Sequence, residues 1–213
     1  MTQQAITRQA WVNGVYVAAE EARISPFDRG FLFADGVYEV TAIYNGRTVD
    51  MERHLDRLER SLRELKFGTM PDRKELEEVH RRLATDNGIT EGYVYLQVTR
   101  GAYGARDFVA PDKPKLTCFA YAESRPLIDT PSARNGIRVI SVPDIRWTRR
   151  DIKSVGLLAQ ALAKTEAKAQ GVDDAVAARR PHQVHRLERV AEGEIARAGV
   201  RDALRPRRLE SPQ

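Results

Sequence analysis

Lys153 is the side chain of this sequence that is best placed for covalent chemistry. It follows a strand-like segment that ends at Val142, and it directly precedes Ser154, after which an apolar helical pattern begins. The loop before it carries three arginines: Arg146, Arg149 and Arg150. Nearby positive charge and the amides of a helix N-terminus favour a neutral amine over an ammonium ion. A neutral lysine can attack an aldehyde and form a Schiff base, although a solvated basic loop would explain the same residues.

Arginines elsewhere in the chain could bind an anion. Arg57 stands at the edge of an apolar helix face, where a surface pair with Asp56 is the ordinary alternative. The glycine-spaced loop 99–106 carries Arg100 and Arg106, whose N–H groups could hold a carboxylate in pairs.

Other polar residues are less specific. Asp28 and Asp35 lie among glycines and predict a folded turn that leads into a strand. His182 and His185 lie three apart, a spacing that metals can use, but no metal site is predicted from these residues. Cys118 lies in a strand-like apolar run and, as the single cysteine, cannot form an internal disulfide, which favours a reducing cytoplasm.

The charge distribution argues against a nucleic-acid binder. The 213 residues carry a net charge of +5, and residues 179–213 contribute +4 of it through nine arginines and five acids. The remainder is nearly neutral, and the Arg-rich tail has no aromatic side chain for base stacking. No apolar run approaches the roughly 20 residues that a membrane span requires, so no membrane association is predicted.

Periodicity predicts helices and strands in irregular order over residues 1–124, which indicates an α+β domain. Asn13-Gly14 and Asn45-Gly46 predict two tight hairpins. Apolar residues at spacings of three and four predict helices that begin at Asp50 and Asp72. Further strands are predicted at Tyr93–Thr99 and Leu116–Ala122.

A second domain is predicted to begin after a linker at residues 125–136, which contains two prolines and a glycine. It would comprise residues 137–178, with a strand at Ile137–Val142 and a helix capped by Ser154. Residues 179–213 form the unmatched tail.

Several short motifs, taken in order, resemble the D-amino acid aminotransferases: Asp28-Arg29-Gly30, Asp35 to Glu39, His54 to Leu58, Thr99-Arg100-Gly101, and Asp144 to Ser154. The resemblance runs from about Trp11 to Val176. These enzymes belong to fold type IV of the pyridoxal 5'-phosphate (PLP) enzymes, as do the branched-chain aminotransferases. The resemblance implies a homodimer whose small α+β N-terminal domain and larger C-terminal domain enclose PLP.

The resemblance also implies roles for individual residues. Lys153 would form the Schiff base with PLP and move the substrate's α-proton. Arg57 would hold the cofactor phosphate, Tyr38 and Val40 would line the substrate side, and Arg106 would bind the substrate carboxylate.

The sequence departs from the family pattern at three places. Phe108 stands where the family usually has a histidine, and Gly156 replaces a larger polar residue. After Val176 the family continues with a Thr-Glu-Gly-Ser-Ser type of loop, which this sequence lacks. Neither Glu192 nor Glu194 can be assigned to the pyridine nitrogen without it. We therefore expect an incomplete C-terminal domain, and we hypothesise that the reading frame departs from the ancestral one near residue 178.

The resulting functional prediction is PLP-dependent transamination between a D-amino acid and a 2-oxo acid. Two alternatives remain open: a catalytically inactive remnant of the family, or a branched-chain or amine type of aminotransferase with the same fold.

Overall fold

The computed structural model describes residues 8–104, 106–111 and 113–178. They fall into two units. The first comprises the described residues up to Leu127 together with Trp147–Leu157, and the second comprises Ile128–Arg146 and the described residues from Leu158 onward. The segment that carries Lys153 thus belongs to the first unit.

The first unit contains a six-stranded antiparallel sheet with the strand order β2-β1-β6-β5-β3-β4. Its strands are β1 (Gln9–Val12), β2 (Val15–Ala18), β3 (Gly36–Tyr44), β4 (Arg47–Thr48), β5 (Glu91–Thr99) and β6 (Thr117–Ser124).

Both predicted hairpins are confirmed. Asn13 and Gly14 join β1 to β2 with φ angles of 48° and 90°, and Asn45 and Gly46 join β3 to β4 with φ angles of 51° and 71°. Positive φ at both central positions matches the twist of a two-residue hairpin, and asparagine and glycine tolerate it best.

Two amphipathic helices cover one face of this sheet. A short helix, α1 (Arg29–Phe33), precedes β3, and α2 (Met51–Glu64) and α3 (Arg73–Asp86) follow β4. The leucines and valine predicted to face inward are buried in one core with the sheet: Leu55, Leu58, Leu62, Leu76, Val79 and Leu83. Their burial confirms the predicted helices. Packing of such an apolar stripe stabilises a helix far more than intrinsic propensity does.

The alternation of side chains along β3 determines which residues can form a site. Val37, Glu39 and Thr41 are buried, whereas Tyr38 and Val40 lie on the opposite, more exposed face. A stack of aromatic rings runs across that exposed face.

The second unit contains α4 (Pro131–Asn135), β7 (Val139–Pro143), α5 (Leu158–Ala169) and β8 (Asp174–Ala178). Strands β7 and β8 pair in parallel. Parallel sheets normally have both faces covered. In the described part of the second unit, however, Leu158 and Leu162 of α5 are 72% and 54% exposed.

The predicted cap of α5 is wrong. The helix begins at Leu158 instead of just after Ser154, because Ser154 forms a β-bridge with Val37 in the first unit. None of the helices in the described ranges is long and apolar enough to cross a bilayer.

Candidate active site

The Lys153 segment is attached to the free edge of β3. The amide of Tyr38 donates a hydrogen bond to the Lys153 carbonyl at 3.0 Å, and the amide of Val155 donates to the Gly36 carbonyl at 3.1 Å. Ile152 is 4% exposed and is part of the core of the first unit. The backbone of Lys153 is therefore held by sheet-like hydrogen bonds and by a buried neighbour.

Helix α2 holds the same segment from a second side. Arg60 donates hydrogen bonds to the carbonyl and the carboxylate of Asp151. One position along the helix, the Ser61 hydroxyl accepts a hydrogen bond from the Lys153 amide at 3.4 Å. The segment therefore has contacts with both the strand and the helix.

Carboxylates offset the positive charge that the sequence places before Lys153. Arg149 contacts Glu64 at 2.6 Å and Asp151 at 2.9 Å. Arg146, in the second unit, pairs with Asp144 at 2.9 Å. The positive charge of these two arginines is therefore paired with nearby carboxylates.

The side chain of Lys153 lies against an aromatic ring. Its Nζ is 4.1 Å from the centroid of the Tyr38 ring, a distance suitable for a cation–π contact. This contact and the backbone hydrogen bond join the same two residues, so the amine has a defined place at the edge of β3.

Arg57 pairs with Glu39 instead of Asp56. Its Nε and Nη2 donate to the two carboxylate oxygens of Glu39 at 2.7 and 2.6 Å, and Nδ1 of His54 lies 2.8 Å from Oε2. Burial alone would raise the pKa of Glu39, but the hydrogen bonds from Arg57 and His54 outweigh it and lower the pKa below its ordinary value. Glu39 is thus a buried carboxylate that orients two basic side chains.

One nitrogen of Arg57 remains available. Its Nη1 makes no hydrogen bond within the described part of the chain, and its side chain is 43% exposed. Arg57 can therefore bind an anion while Glu39 fixes its orientation.

Sequence reasoning missed the roles of Glu39 and His54. A signal for His54 was present in its spacing of three from Arg57, which places both on one helix face. Glu39 ends the motif that begins at Asp35, but neither the motif nor the alternation along the strand indicates that its carboxylate is buried against Arg57 and His54.

Tyr38 and Val40 share the exposed face of β3, as their spacing predicts. The Tyr38 ring stacks on Tyr95 at a centroid distance of 5.7 Å. Burial is the main cause that raises the pKa of Tyr95 to about 12. Its phenol therefore stays protonated near neutral pH and donates to the side-chain oxygen of Gln97 at 2.8 Å.

The two arginines of the loop after β5 have separate surroundings. Arg100 is 5% exposed and donates to Asp35 at 2.9 Å and to the Leu65 carbonyl at 2.8 Å, so it cannot form a carboxylate clamp with Arg106. The guanidinium carbon of Arg106 lies 4.8 Å from the Phe108 ring centroid. No contact in the described ranges joins this loop to Lys153.

Two other expectations concern reactive groups. Cys118 is buried in β6, and burial raises the pKa of its thiol to about 12, so it is not a nucleophile at neutral pH. No cluster of three or more potential metal ligands occurs among residues 8–104, 106–111 and 113–178. His182, His185, Glu192 and Glu194 lie outside these residues.

Comparison with known proteins identifies the family. A model of the amino-transferase class IV family matches residues 36–193, which is most of the chain. The chain belongs to this family. The match begins at the first residue of β3, and it contains Tyr38, Arg57, Arg106 and Lys153.

Curated proteins similar to this chain include D-alanine aminotransferases. That of Staphylococcus haemolyticus is 37% identical over 187 residues, which cover 87% of this chain and 63% of the relative. That of Listeria monocytogenes serotype 1/2a (strain 10403S) is 38% identical over 183 residues, which cover 85% of this chain and 61% of the relative. The chain thus spans less than two thirds of the length of these relatives.

Solved structures confirm the fold. The branched-chain amino acid aminotransferase of Escherichia coli superposes with a TM-score of 0.69 at 20% identity, covering 80% of this chain and 59% of that one. A second branched-chain amino acid aminotransferase, solved with pyridoxamine 5'-phosphate, gives the same TM-score of 0.69 and the same coverage at 23% identity. This likeness establishes a fold-type IV aminotransferase fold, and the α+β prediction is confirmed.

Proposed function

We propose that this chain carries the lysine-bearing part of a PLP-dependent aminotransferase that exchanges an amino group between a D-amino acid and a 2-oxo acid. The observation that carries the proposal is the placement of Lys153. Its carbonyl accepts a hydrogen bond from the Tyr38 amide of β3, and its amine lies 4.1 Å from the Tyr38 ring centroid. The identity of 37–38% to D-alanine aminotransferases supports the substrate class.

The described residues fit PLP at two chemically distinct groups. When bound, PLP would supply an aldehyde for an amine and an electron sink for the substrate's α-carbon. Lys153 offers the amine, and Arg57 offers an unengaged nitrogen for the phosphate. Both contact the first half of β3: Lys153 accepts a hydrogen bond from the Tyr38 amide, and Arg57 donates hydrogen bonds to Glu39.

Residues of this chain would also transfer the proton and bind the substrate. The Lys153 amine can accept the proton that leaves the substrate's α-carbon. It can later donate that proton, so one side chain acts first as general base and then as general acid. Val40 is 36% exposed and, with Tyr38, would line the substrate side. Arg106 is stacked against an aromatic ring, and its N–H groups would bind the substrate carboxylate.

A substrate with an apolar side chain, or an amine, is the second candidate. Phe33 and Phe108 lie with their centroids 5.2 Å apart, and Arg106 lies over both rings. An aromatic wall beside the proposed carboxylate site favours apolar over acidic side chains, because an acidic group would lose hydration there without gaining a partner.

We propose that the protein acts as a cytoplasmic homodimer. The exposed sheet face carries a row of half-buried aromatic side chains that a second copy could cover: Tyr93, Tyr95, Phe119 and Tyr121. The single cysteine supports a reducing compartment.

Covalent trapping tests the role of Lys153. The purified full-length chain is incubated with PLP, reduced with borohydride, and mapped by mass spectrometry. We expect a pyridoxyl adduct on Lys153 that disappears in Lys153→Ala and persists in Lys164→Ala, a matched change at a lysine of α5. An unselective distribution over the lysines, or no adduct, would refute the proposal.

Substrate choice is tested by turnover. D-alanine and L-leucine are compared as amino donors with the same 2-oxo acid as acceptor. Faster transfer from D-alanine supports the D-amino acid assignment, whereas faster transfer from L-leucine supports the branched-chain alternative.

A further inference from the structure

Arg29 is a buried arginine for which neither the motifs nor the proposed chemistry supplies a role. It is 8% exposed, and its Nε donates to Asp35 at 2.7 Å. Its two terminal nitrogens donate to three consecutive carbonyls: Nη1 to Asp107 at 2.5 Å and Val109 at 3.3 Å, and Nη2 to Phe108 at 3.2 Å. One side chain thus engages the entire backbone turn that follows Arg106.

The partner of Arg29 is itself fixed. The carboxylate oxygen of Asp35 that Arg29 binds also accepts from Nε of Arg100 at 2.9 Å. Arg100 in turn donates to the carbonyls of Leu65 and Lys66, just after α2. The turn at 107–109 is therefore connected through two buried arginines to the start of β3 and the end of α2.

Arg106 differs from Arg29 in what its guanidinium contacts. Its guanidinium carbon lies 5.3 Å from the centroid of Phe33 and 4.8 Å from that of Phe108, and in the described ranges it forms no ion pair. Arg29 lies over the same Phe33 ring at 4.8 Å. Stacking orients a guanidinium plane without using its N–H donors, so the donors of Arg106 remain available to a ligand.

We propose that Arg29 is a positioning residue for substrate-carboxylate binding: by holding the carbonyls of 107–109, it fixes where Arg106 and Phe108 stand. This inference rests on the proposed role of Arg106. No substrate contact is assigned to Arg29, because it is buried and four of its five N–H donors are used by Asp35 and the three carbonyls. Lysine at this position would keep the charge but lose the planar arrangement of five donors that spans three carbonyls.

Chymotrypsin cleavage after Phe108 measures the positioning directly. The Phe108 side chain is 73% exposed, but its carbonyl is bound by Arg29. For Arg29→Met in the full-length chain, we expect cleavage on the order of tenfold faster, since hydrogen bonds from a charged donor are lost. Arg29→Lys should be intermediate. Arg53→Met, at an exposed arginine of α2, should cleave at the wild-type rate.

Cleavage after Phe67, which is fully buried, reports general unfolding in the same digest. If Arg29→Met is cut at Phe67 as well, Arg29→Lys decides. Unchanged cleavage at Phe108 in an Arg29 variant that stays intact at Phe67 would overturn the proposal.

Steady-state kinetics test whether the turn at 107–109 affects binding of the amino acid. We expect Arg29→Lys and Arg29→Met to raise KM for the amino acid by about tenfold or more while kcat stays within about twofold, because carboxylate binding weakens and the chemistry at Lys153 does not change. A fall in kcat at constant KM would overturn the positioning role. A wild-type chain with neither turnover nor an adduct at Lys153 would refute the proposed function and, with it, the role of Arg29 in substrate binding. The chymotrypsin digest would still show whether Arg29 holds the turn at 107–109.

Discussion

Lys153 and Tyr38 are joined twice, by a 3.0 Å hydrogen bond between their backbones and by a 4.1 Å contact between Nζ and the ring centroid. The first contact fixes the course of the chain, and the second fixes the direction of the side chain. The amine is thereby positioned relative to β3 by a single residue of that strand.

Removal of the Tyr38 ring should loosen the Lys153 amine without releasing its backbone. In Tyr38→Leu we expect the yield of borohydride-trapped pyridoxyl adduct on Lys153 to fall a few-fold, because the ring no longer packs against Nζ and restricts where the amine lies. Tyr38→Phe should behave like the wild type, since it keeps the ring face. Tyr44→Leu, at a 44% exposed tyrosine on the same face of β3, serves as the control. An equal loss in Tyr38→Phe would mean that the hydroxyl is what matters.

Loss of the contact between Arg60 and Asp151 should reduce adduct formation at Lys153 more than it reduces the stability of the fold. Both side chains are nearly half exposed, so their ion pair stabilises the fold little. Arg60 also binds the Asp151 carbonyl, two residues before Lys153. We expect Arg60→Met to lower adduct formation at Lys153 while the urea midpoint stays close to that of the wild type. Arg63→Met is the matched control, because the ion pair that Arg63 forms in the described ranges is with Glu59 of its own helix. A drop in the urea midpoint as large as the loss of adduct would contradict this assignment.

His80 should make the first unit sensitive to mild acid. Its Nδ1 lies 2.7 Å from the Leu76 carbonyl, and its buried Nε2 has no partner in the described part of the chain. Burial lowers the pKa of His80 below its ordinary value of 6.5. The unfolded state therefore takes up the proton first, and this contribution to stability is lost as pH falls below 6.5.

Replacement of His80 tests this sign. We expect His80→Leu to be at least as stable as the wild type at pH ~7.5, because an unsatisfied buried nitrogen is removed, and to lose less stability between pH ~7.5 and pH ~5.5. Urea unfolding at both pH values measures the difference. An equal loss of unfolding free energy between these two pH values in both proteins would show that groups other than His80 cause the acid sensitivity.

Local sequence signals predict the framework of the first unit well. The leucine spacing of α2 and the two Asn-Gly turns each depend on residues a few positions apart, so the pattern and the structure coincide. The placement of the Lys153 segment has no such signal. Its partner Tyr38 lies 115 positions earlier, and pairing at a free strand edge leaves no periodicity in either segment. For the same reason Ser154, whose residue type favours a helix cap, instead pairs with Val37.

The partners of the basic residues were also beyond sequence reasoning. Nothing in the sequence distinguishes Arg29, held by buried polar groups, from Arg106, stacked on aromatic rings. Their difference arises from the tertiary position of Asp35 and the turn at 107–109. The short motifs include Arg57, Lys153 and Glu39, but their order could not show that the Glu39 carboxylate orients Arg57.

Glu39 should contribute an acid-dependent stability of its own, in a lower pH range than His80. Its pKa is lowered below the ordinary value of 4.5, so its contribution is complete above pH 4.5 and is lost as pH falls further. Glu39→Gln removes the charge that Arg57 and His54 share. We expect it to cost about 2 kcal/mol at neutral pH, a value reduced by the partial exposure of Arg57.

The pH dependence separates this charge effect from a simple packing defect. Between pH ~5 and pH ~3, the free energy of unfolding from urea titrations should fall less steeply for Glu39→Gln than for the wild type, because the variant has no carboxylate to protonate at this position. Glu20→Gln, at an exposed glutamate after β2, should keep the wild-type slope. A Glu39→Gln variant that is destabilised equally at every pH would show that the glutamine merely packs badly, and the carboxylate would then have no measurable role in holding Arg57.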